Sequence, residues 1–242
     1  MNKTVKDQNL LIEQTGKLSI PAKMDGSFGY HYIELEKIFF LKSNSNTTTV
    51  HFEKEEPISV TKTLKYFEKK LLGLPFLRIH ESFIINVQKL YKYSKGKRKY
   101  VILTDGQKIS ISKRKQSTLE NLTTINNKCE IPDYEGIVYL EIKSILYFEA
   151  DQDKTIVHLS SGQKIHSVKN IGYFEDTLYS KPFFRIHNKY IINLLHVERF
   201  YRGSSKQSDN KRSTSGYVVL STGKGLSVSA SKKESFLQLF CN

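Results

Sequence analysis

Displaced by 107 residues, the sequence falls on itself: Tyr32–Leu90 aligns with Tyr139–Val197 without a gap, and 20 of the 59 positions are identical. Whatever this chain folds into, it folds into twice. The densest stretch reads Pro75-Phe-Leu-Arg-Ile-His-Glu-Ser-Phe-Ile-Ile-Asn86 in the first copy and Pro182-Phe-Phe-Arg-Ile-His-Asn-Lys-Tyr-Ile-Ile-Asn193 in the second. Such a period exceeds the roughly 20–50 residues of a solenoid unit, so each copy is read as a whole domain. Past Leu90 the displacement grows to 117, where Tyr100-Val-Ile-Leu is echoed by Tyr217-Val-Val-Leu. The extra length is placed in Ser204–Gly216, whose serines and charges read as a flexible loop. The resulting division is an N-terminal tail, 1–16, a first domain, 17–126, and a second, 127–242, with the mostly polar Thr123–Pro132 as linker.

Within each copy the apolar pattern is strand-like. Ile33-Glu-Leu-Glu-Lys-Ile-Phe-Phe-Leu and Leu140-Glu-Ile-Lys-Ser-Ile-Leu-Tyr-Phe each predict a short element running into a strand, with further strands at Thr47–Phe52 and Thr155–Leu159. Asp105-Gly106 between two apolar runs is a hairpin signal, and Thr222-Gly223 holds the same place in the second copy. A helix is predicted over about Lys62–Leu72, where Leu64, Phe67 and Leu71 recur at helical spacing before Gly73 and Pro75 stop it. Ile171, Phe174 and Leu178 repeat that face. A second short helix is expected to close each copy, around Leu119 and Leu122 and around Phe236, Leu237 and Phe240. The fold class is therefore mainly β, in two tandem domains.

No stretch approaches the roughly 18 consecutive apolar residues of a membrane span, and Leu10-Leu11-Ile12 is too short and too polar in its flanks for an export signal. Cys129 and Cys241 offer neither a disulfide framework nor metal-ligand spacing, so no metal or cofactor is expected and a reducing, cytoplasmic location is. The repeated Arg-Ile-His invites an acid–base reading, but Glu81 becomes Asn188 and Ser82 becomes Lys189, so no catalytic constellation is duplicated. No enzyme is expected. Asn86 and Asn193 are read as polar side chains that satisfy backbone groups at a turn.

Charge gives the functional clue. A net charge of +14 draws polyanions, and it is uneven: the first copy holds 20 Lys and Arg against 10 Asp and Glu, the second 16 against 12. Lys92, Lys95, Lys97, Arg98 and Lys99 crowd one turn of the first copy, and Lys113-Arg114-Lys115 follows Ser110-Ile-Ser112. The second copy answers with Arg199, Arg202, Lys206, Lys211 and Arg212, and with Lys232-Lys233 after Ser227-Val-Ser229. A charge run is often only a solvated face; its recurrence in loops on a rigid β scaffold favours phosphate contact.

The order of motifs is specific as a set: Ile20-Pro21 and Ile131-Pro132, a strand ending in a polar turn (Lys42–Thr47, Glu149–Lys154), Phe-x-Arg-Ile-His, Ile-Ile-Asn, and a closing hydrophobic-Ser-hydrophobic-Ser. It resembles the LytTR DNA-binding domain over both copies. The resemblance implies an elongated, mostly antiparallel β fold with short helices, in which loops rather than a recognition helix enter the major groove. In the first copy it implies DNA contact near Asn46 and Thr47 and at His80, Glu81, Ser82, Lys113, Arg114 and Lys115. In the second it implies Asp153, Lys154, His187, Asn188, Lys189, Ser229, Ser231, Lys232 and Lys233. Two departures stand out: Glu81 puts a carboxylate where DNA would approach, and Ala230 replaces the basic residue that Lys113 supplies in the first copy.

Such domains accompany bacterial transcription regulators, which makes double-stranded DNA the expected partner, RNA polymerase a further candidate and a membrane none. With no segment left for a receiver, the tandem is expected to stand in for a dimer and engage paired half-sites in adjacent major grooves. Two rivals are weighed against this. The 14 Tyr and 14 Phe among many cations would suit stacking on single-stranded RNA, and Glu81 with Ala230 would suit a protein-interaction domain that has lost DNA contact.

Overall fold

The computed structural model describes residues 12, 15–24, 27–116, 128–202 and 216–240. It divides into two compact units, 1–126 and 127–242. The fold is mainly antiparallel β, and the second unit repeats the first element by element.

In the first unit, β1 (Lys17–Met24) and β2 (Ser27–Glu34) form a hairpin. A 3-10 turn, Leu35–Lys37, leads into β3 (Ile38–Asn44), followed by β4 (Thr47–Phe52), β5 (Ile58–Val60), α1 (Leu64–Lys70), β6 (Phe76–His80) and β7 (Phe83–Asn86). These strands make one sheet in the order β5-β4-β3-β7-β6. β8 (Leu90–Ser94), β9 (Tyr100–Leu103) and β10 (Lys108–Ser110) form a meander that ends in the 3-10 turn Lys113–Lys115.

The apolar run Ile38-Phe39-Phe40-Leu41 is buried throughout, as expected of a central strand covered on both faces. Leu64 and Phe67 on α1 and Leu71 at its C-cap pack with Ile38 and Leu41 and with Leu18 and Ile20 of β1 in a single core. The helix ends at Lys70, shorter than the predicted Lys62–Leu72, and the chain turns away through Gly73, whose φ of +85° a side chain would strain. Gly106, also at +85°, closes the predicted β9–β10 hairpin, with Asp105 Oδ1 accepting from Gln107 N at 2.9 Å. Ile12, assigned to the tail by sequence, is buried in this core.

The second unit runs β11 (Lys128–Pro132), β12 (Gly136–Glu141), β13 (Ile145–Asp151), β14 (Lys154–Leu159), β15 (Lys164–Ser167), α2 (Ile171–Thr177), β16 (Phe183–His187) and β17 (Tyr190–Asn193). β18 (Val197–Tyr201), β19 (Gly216–Leu220), β20 (Gly225–Val228) and α3 (Ala230–Gln238) complete it. The sheet order β15-β14-β13-β17-β16 reproduces that of the first unit.

Two expectations need correction. Half of the supposed linker is strand β11, paired along β12 from Lys128↔Glu141 to Pro132↔Ile137. Its polar residues hide a period of two, with Cys129 and Ile131 fully buried where β1 has Leu18 and Ile20. Burial pushes the Cys129 thiol up to about 11, against the opposing charge of Lys181. The closing helix of the second unit seals its core with Phe236, but Phe240 lies beyond the helix and is exposed. The expected helix around Leu119 and Leu122 and all of the expected loop up to residue 215 lie outside the described residues. No helix among the described residues is long and apolar enough to cross a membrane.

Candidate nucleic-acid interface

The turn between β6 and β7 is built by Arg78. Its Nε donates to His80 O at 3.4 Å, one terminal nitrogen to Glu81 O at 2.8 Å and the other to Glu68 of α1 at 2.7 Å. A planar guanidinium with donors on fixed edges is suited to hold two carbonyls and a carboxylate at once. Arg185 repeats every bond, to His187 O at 3.2 Å, Asn188 O at 2.9 Å and Glu175. Within the turn, His80 Nδ1 accepts from Ser82 N and His187 Nδ1 from Lys189 N, each at 3.2 Å. With Nδ1 as acceptor the ring proton sits on Nε2, leaving a donor for a ligand.

Behind the turn, Asn86 is fully buried. Its amide donates to Ile38 O at 2.9 Å and Leu35 O at 3.3 Å and accepts from Gln88 N at 3.0 Å. Asn193 does the same with Ile145 O, Ile142 O and Leu195 N. These residues are structural, as their chemistry at a turn predicted.

Three loops meet at one end of each unit. Ser43 N donates to Ser82 O at 2.9 Å, so the β6–β7 turn lies against the end of β3, and the Ser45–Asn46 turn projects about two residues, ~7 Å, farther. Ala150 N to Lys189 O at 2.8 Å places the second unit's turns alike. Both β-turns carry a non-glycine residue at positive φ, Ser45 at 53° and Gln152 at 55°. Thr47 Oγ1 braces the first tip by donating to Asn44 O. On the other side, Ser112 N to Ile79 O and Ser229 N to Ile186 O, each 2.9 Å, fasten the closing loop beside Arg-Ile-His.

The outcome is a groove in each unit. In the first, of about 470 Å³, Arg78, His80, Glu81, Lys113, Arg114 and Lys115 share the lining with Glu68. In the second, of about 430 Å³, the lining includes Arg185, His187, Asn188, Ser229, Ser231 and Lys232, with Glu175. Asn46, Thr47, Asp153 and Lys154 stand at the neighbouring tips instead. Ser229 and Ser231 hydroxyls lie 3.2 Å apart, and Lys233 is tied to Arg202 O at 2.9 Å. Sequence reasoning missed Glu68 and Glu175; the signal was the repeated Tyr-Phe-Glu of the two helices.

The two units differ in charge beside the turn. Lys189 is paired to Glu149 at 3.1 Å, and Glu149 also accepts from His158 Nε2 at 2.9 Å. Burial raises the Glu149 carboxyl, but the bonds from Lys189 and His158 outweigh it and hold the carboxyl below its ordinary range. In the first unit Lys42 stands at the position of Glu149, exposed, so this end is more cationic. The exchange leaves His51 Nε2 buried without a hydrogen-bond partner among the described residues. Desolvation, then the charge of Lys42, lowers its pKa; desolvation also lowers that of His158. A folded ring that resists a proton the unfolded ring accepts near pH 6.5 contributes stability above that pH and loses it below. Melting temperature is thus expected to fall between about pH 7 and pH 5, and His51→Phe to flatten that fall; an unchanged slope in the variant would show that His51 plays no part.

Each of the two β modules gathers cations and a fixed imidazole on loops at one end, the arrangement that the sequence resemblance leads us to expect. A family profile described as the LytTr DNA-binding domain matches residues 29–124 and 135–240, and the chain belongs to that family. Transcriptional regulatory protein LytR of Staphylococcus aureus strain bovine RF122 / ET3-1 is 29% identical over 118 residues, 46% of this chain and 44% of that protein. LytR of strain N315 is 30% identical over 101 residues, 39% of this chain and 38% of its own length. The chain thus spans less than half the length of these curated relatives. Among solved structures, a Bacillus cereus LytTr DNA-binding domain is 20% identical with a TM-score of 0.38, covering 47% of this chain and 96% of that one.

Proposed function

We propose that this chain is a sequence-specific, double-stranded-DNA-binding transcriptional regulator whose two modules, 17–126 and 127–242, engage paired half-sites in adjacent major grooves. One observation carries the reading: the same groove, with a clamped Arg-Ile-His turn facing a basic or serine-rich closing loop, is built twice. In each module the His Nε2–H and the residues that follow (Glu81 and Ser82; Asn188 and Lys189) read base edges. The closing loops (Lys113, Arg114, Lys115; Ser229, Ser231, Lys232, Lys233) and the strand tips (Asn46, Thr47; Asp153, Lys154) meet the backbone. Glu81 suits a cytosine amino group, which donates in the major groove.

Selection from a random duplex pool tests this directly. The expected product is a pair of related half-sites about one helical turn apart, roughly 10 bp. Recovery of no duplex at low salt, or preferential retention of single-stranded RNA, would reject the reading.

The first module is the stronger anchor, because Lys42, Lys113 and Arg114 stand where the second has Glu149, Ala230 and Ser231. Replacing Lys113, Arg114 and Lys115 together by Gln is expected to reduce the slope of log K against log salt by about 2 to 3, near 0.9 for each phosphate no longer neutralised. The matching change of Lys232 and Lys233 reduces it less. Equal reductions in the two variants would contradict this asymmetry.

A further inference from the structure

In both modules a carboxylate sits inside the groove proposed to face a polyanion, where Coulomb repulsion counts against it. Glu68 and Glu175 are retained at equivalent positions although their neighbours differ: Glu81 against Asn188, Lys113 against Ala230. Each carboxylate is bound twice. One oxygen of Glu68 accepts from Arg78 at 2.7 Å, and the other lies 3.6 Å from Lys115 Nζ. Glu175 takes Arg185 and, at 3.8 Å, Lys232. In each module this carboxylate joins helix, turn and closing loop.

We infer that Glu68 and Glu175 are positioning residues for base readout, acting through the arginine and the lysine without touching DNA; the inference rests on the DNA-reading function proposed above. The geometry gives the reason. Arg78 also donates to the carbonyls of His80 and Glu81, so its orientation fixes where those two residues present their side chains. Glu68 supplies the anion among these three partners. Without it the guanidinium is free to turn toward phosphate and release both carbonyls. Lys115, already placed against phosphate, no longer shares its charge with the carboxylate. The groove then gains charge and loses shape.

These two consequences act in opposite directions, which makes the inference separable from simple electrostatics. Glu68→Gln in the full chain is to be measured by titration against the selected duplex and against a scrambled duplex of equal length, over a range of salt. Specific affinity is expected to fall about tenfold, the scale of a lost charged hydrogen bond. Affinity for the scrambled duplex is expected to hold or rise, with a steeper salt slope. In a double-mutant cycle, Arg78→Lys should add little to Glu68→Gln, since each breaks the same clamp. A carboxylate that merely repels DNA would instead give a variant that binds both duplexes more tightly, and that result overturns the inference. So does unchanged binding to both. A purely structural role would lower the melting temperature while leaving the ratio of specific to scrambled affinity, measured well below that temperature, at the wild-type value. Failure of the wild-type chain to prefer its selected duplex would reject the DNA-reading function itself.

Discussion

Asn86→Ala is expected to remove about 2–4 kcal/mol of stability, on the order of 10 °C in melting temperature, although the side chain touches no ligand surface. The cause is bond accounting. The amide satisfies two carbonyls that flank the 3-10 turn before β3 and one backbone N–H after β7, all from a fully buried position. Alanine leaves those groups without protein partners, and a single water cannot reproduce all three bonds in the geometry of the planar amide. Asn86→Asp keeps the shape and is predicted to be worse near neutral pH, because a carboxylate would face the two carbonyls it can no longer donate to. Acidification should then partly rescue Asp and not Ala, since a protonated carboxyl regains one donor. Denaturant unfolding of the full chain at pH 7 and pH 5 measures both effects. If Asn86→Ala unfolds at the wild-type midpoint, these bonds do not hold the sheet.

The prediction rests on a pair of asparagines that sequence alone marked as structural, and they show what was legible. A polar residue that ends Ile-Ile-Asn, just where an apolar run stops, has few roles other than satisfying a turn. Local rules also placed β4, the helix face of Leu64, Phe67 and Leu71, and the Gly106 and Gly223 hairpins, because each depends on residues within one turn or one strand. The polar spelling of β11 defeated them, since Lys128, Cys129 and Glu130 read as linker until the partner strand supplies the second half of the pattern. The clamp was likewise out of reach. Glu68 and Arg78 are ten residues apart across a helix end and a turn, and no periodicity connects them; only the fold brings α1 beside β6. The replacement of Glu149 by Lys42 was visible as letters. Its consequence, an exposed cation in place of a paired carboxylate and a His51 nitrogen without a partner among the described residues, needed the register of β3 against β4.

Register also bears on how two such modules would share one duplex. Each presents the turns proposed to read DNA at one end, so a module bound in one major groove would cover only one face, and a second module on the same chain would add affinity only if its half-site lies where the chain can reach. A spacing of one helical turn, about 34 Å, puts both half-sites on one face. Inserting 5 bp between the half-sites of the selected operator rotates one to the opposite face, and affinity is expected to drop about 100-fold as the second contact stops being intramolecular. Inserting 10 bp restores the face while lengthening the span, so recovery should be partial at best. Under the proposed asymmetry the residual binding to the 5 bp operator belongs mainly to the first module, with its Lys42 and its Lys113–Lys115 turn. Neutralising that turn should therefore abolish most of what the insertion leaves, whereas neutralising Lys232 and Lys233 should change it little. Footprints measure both outcomes. Protection of the two half-sites at one protein concentration, whatever the insertion, would mean that the modules bind independently and that the duplication serves something other than joint recognition.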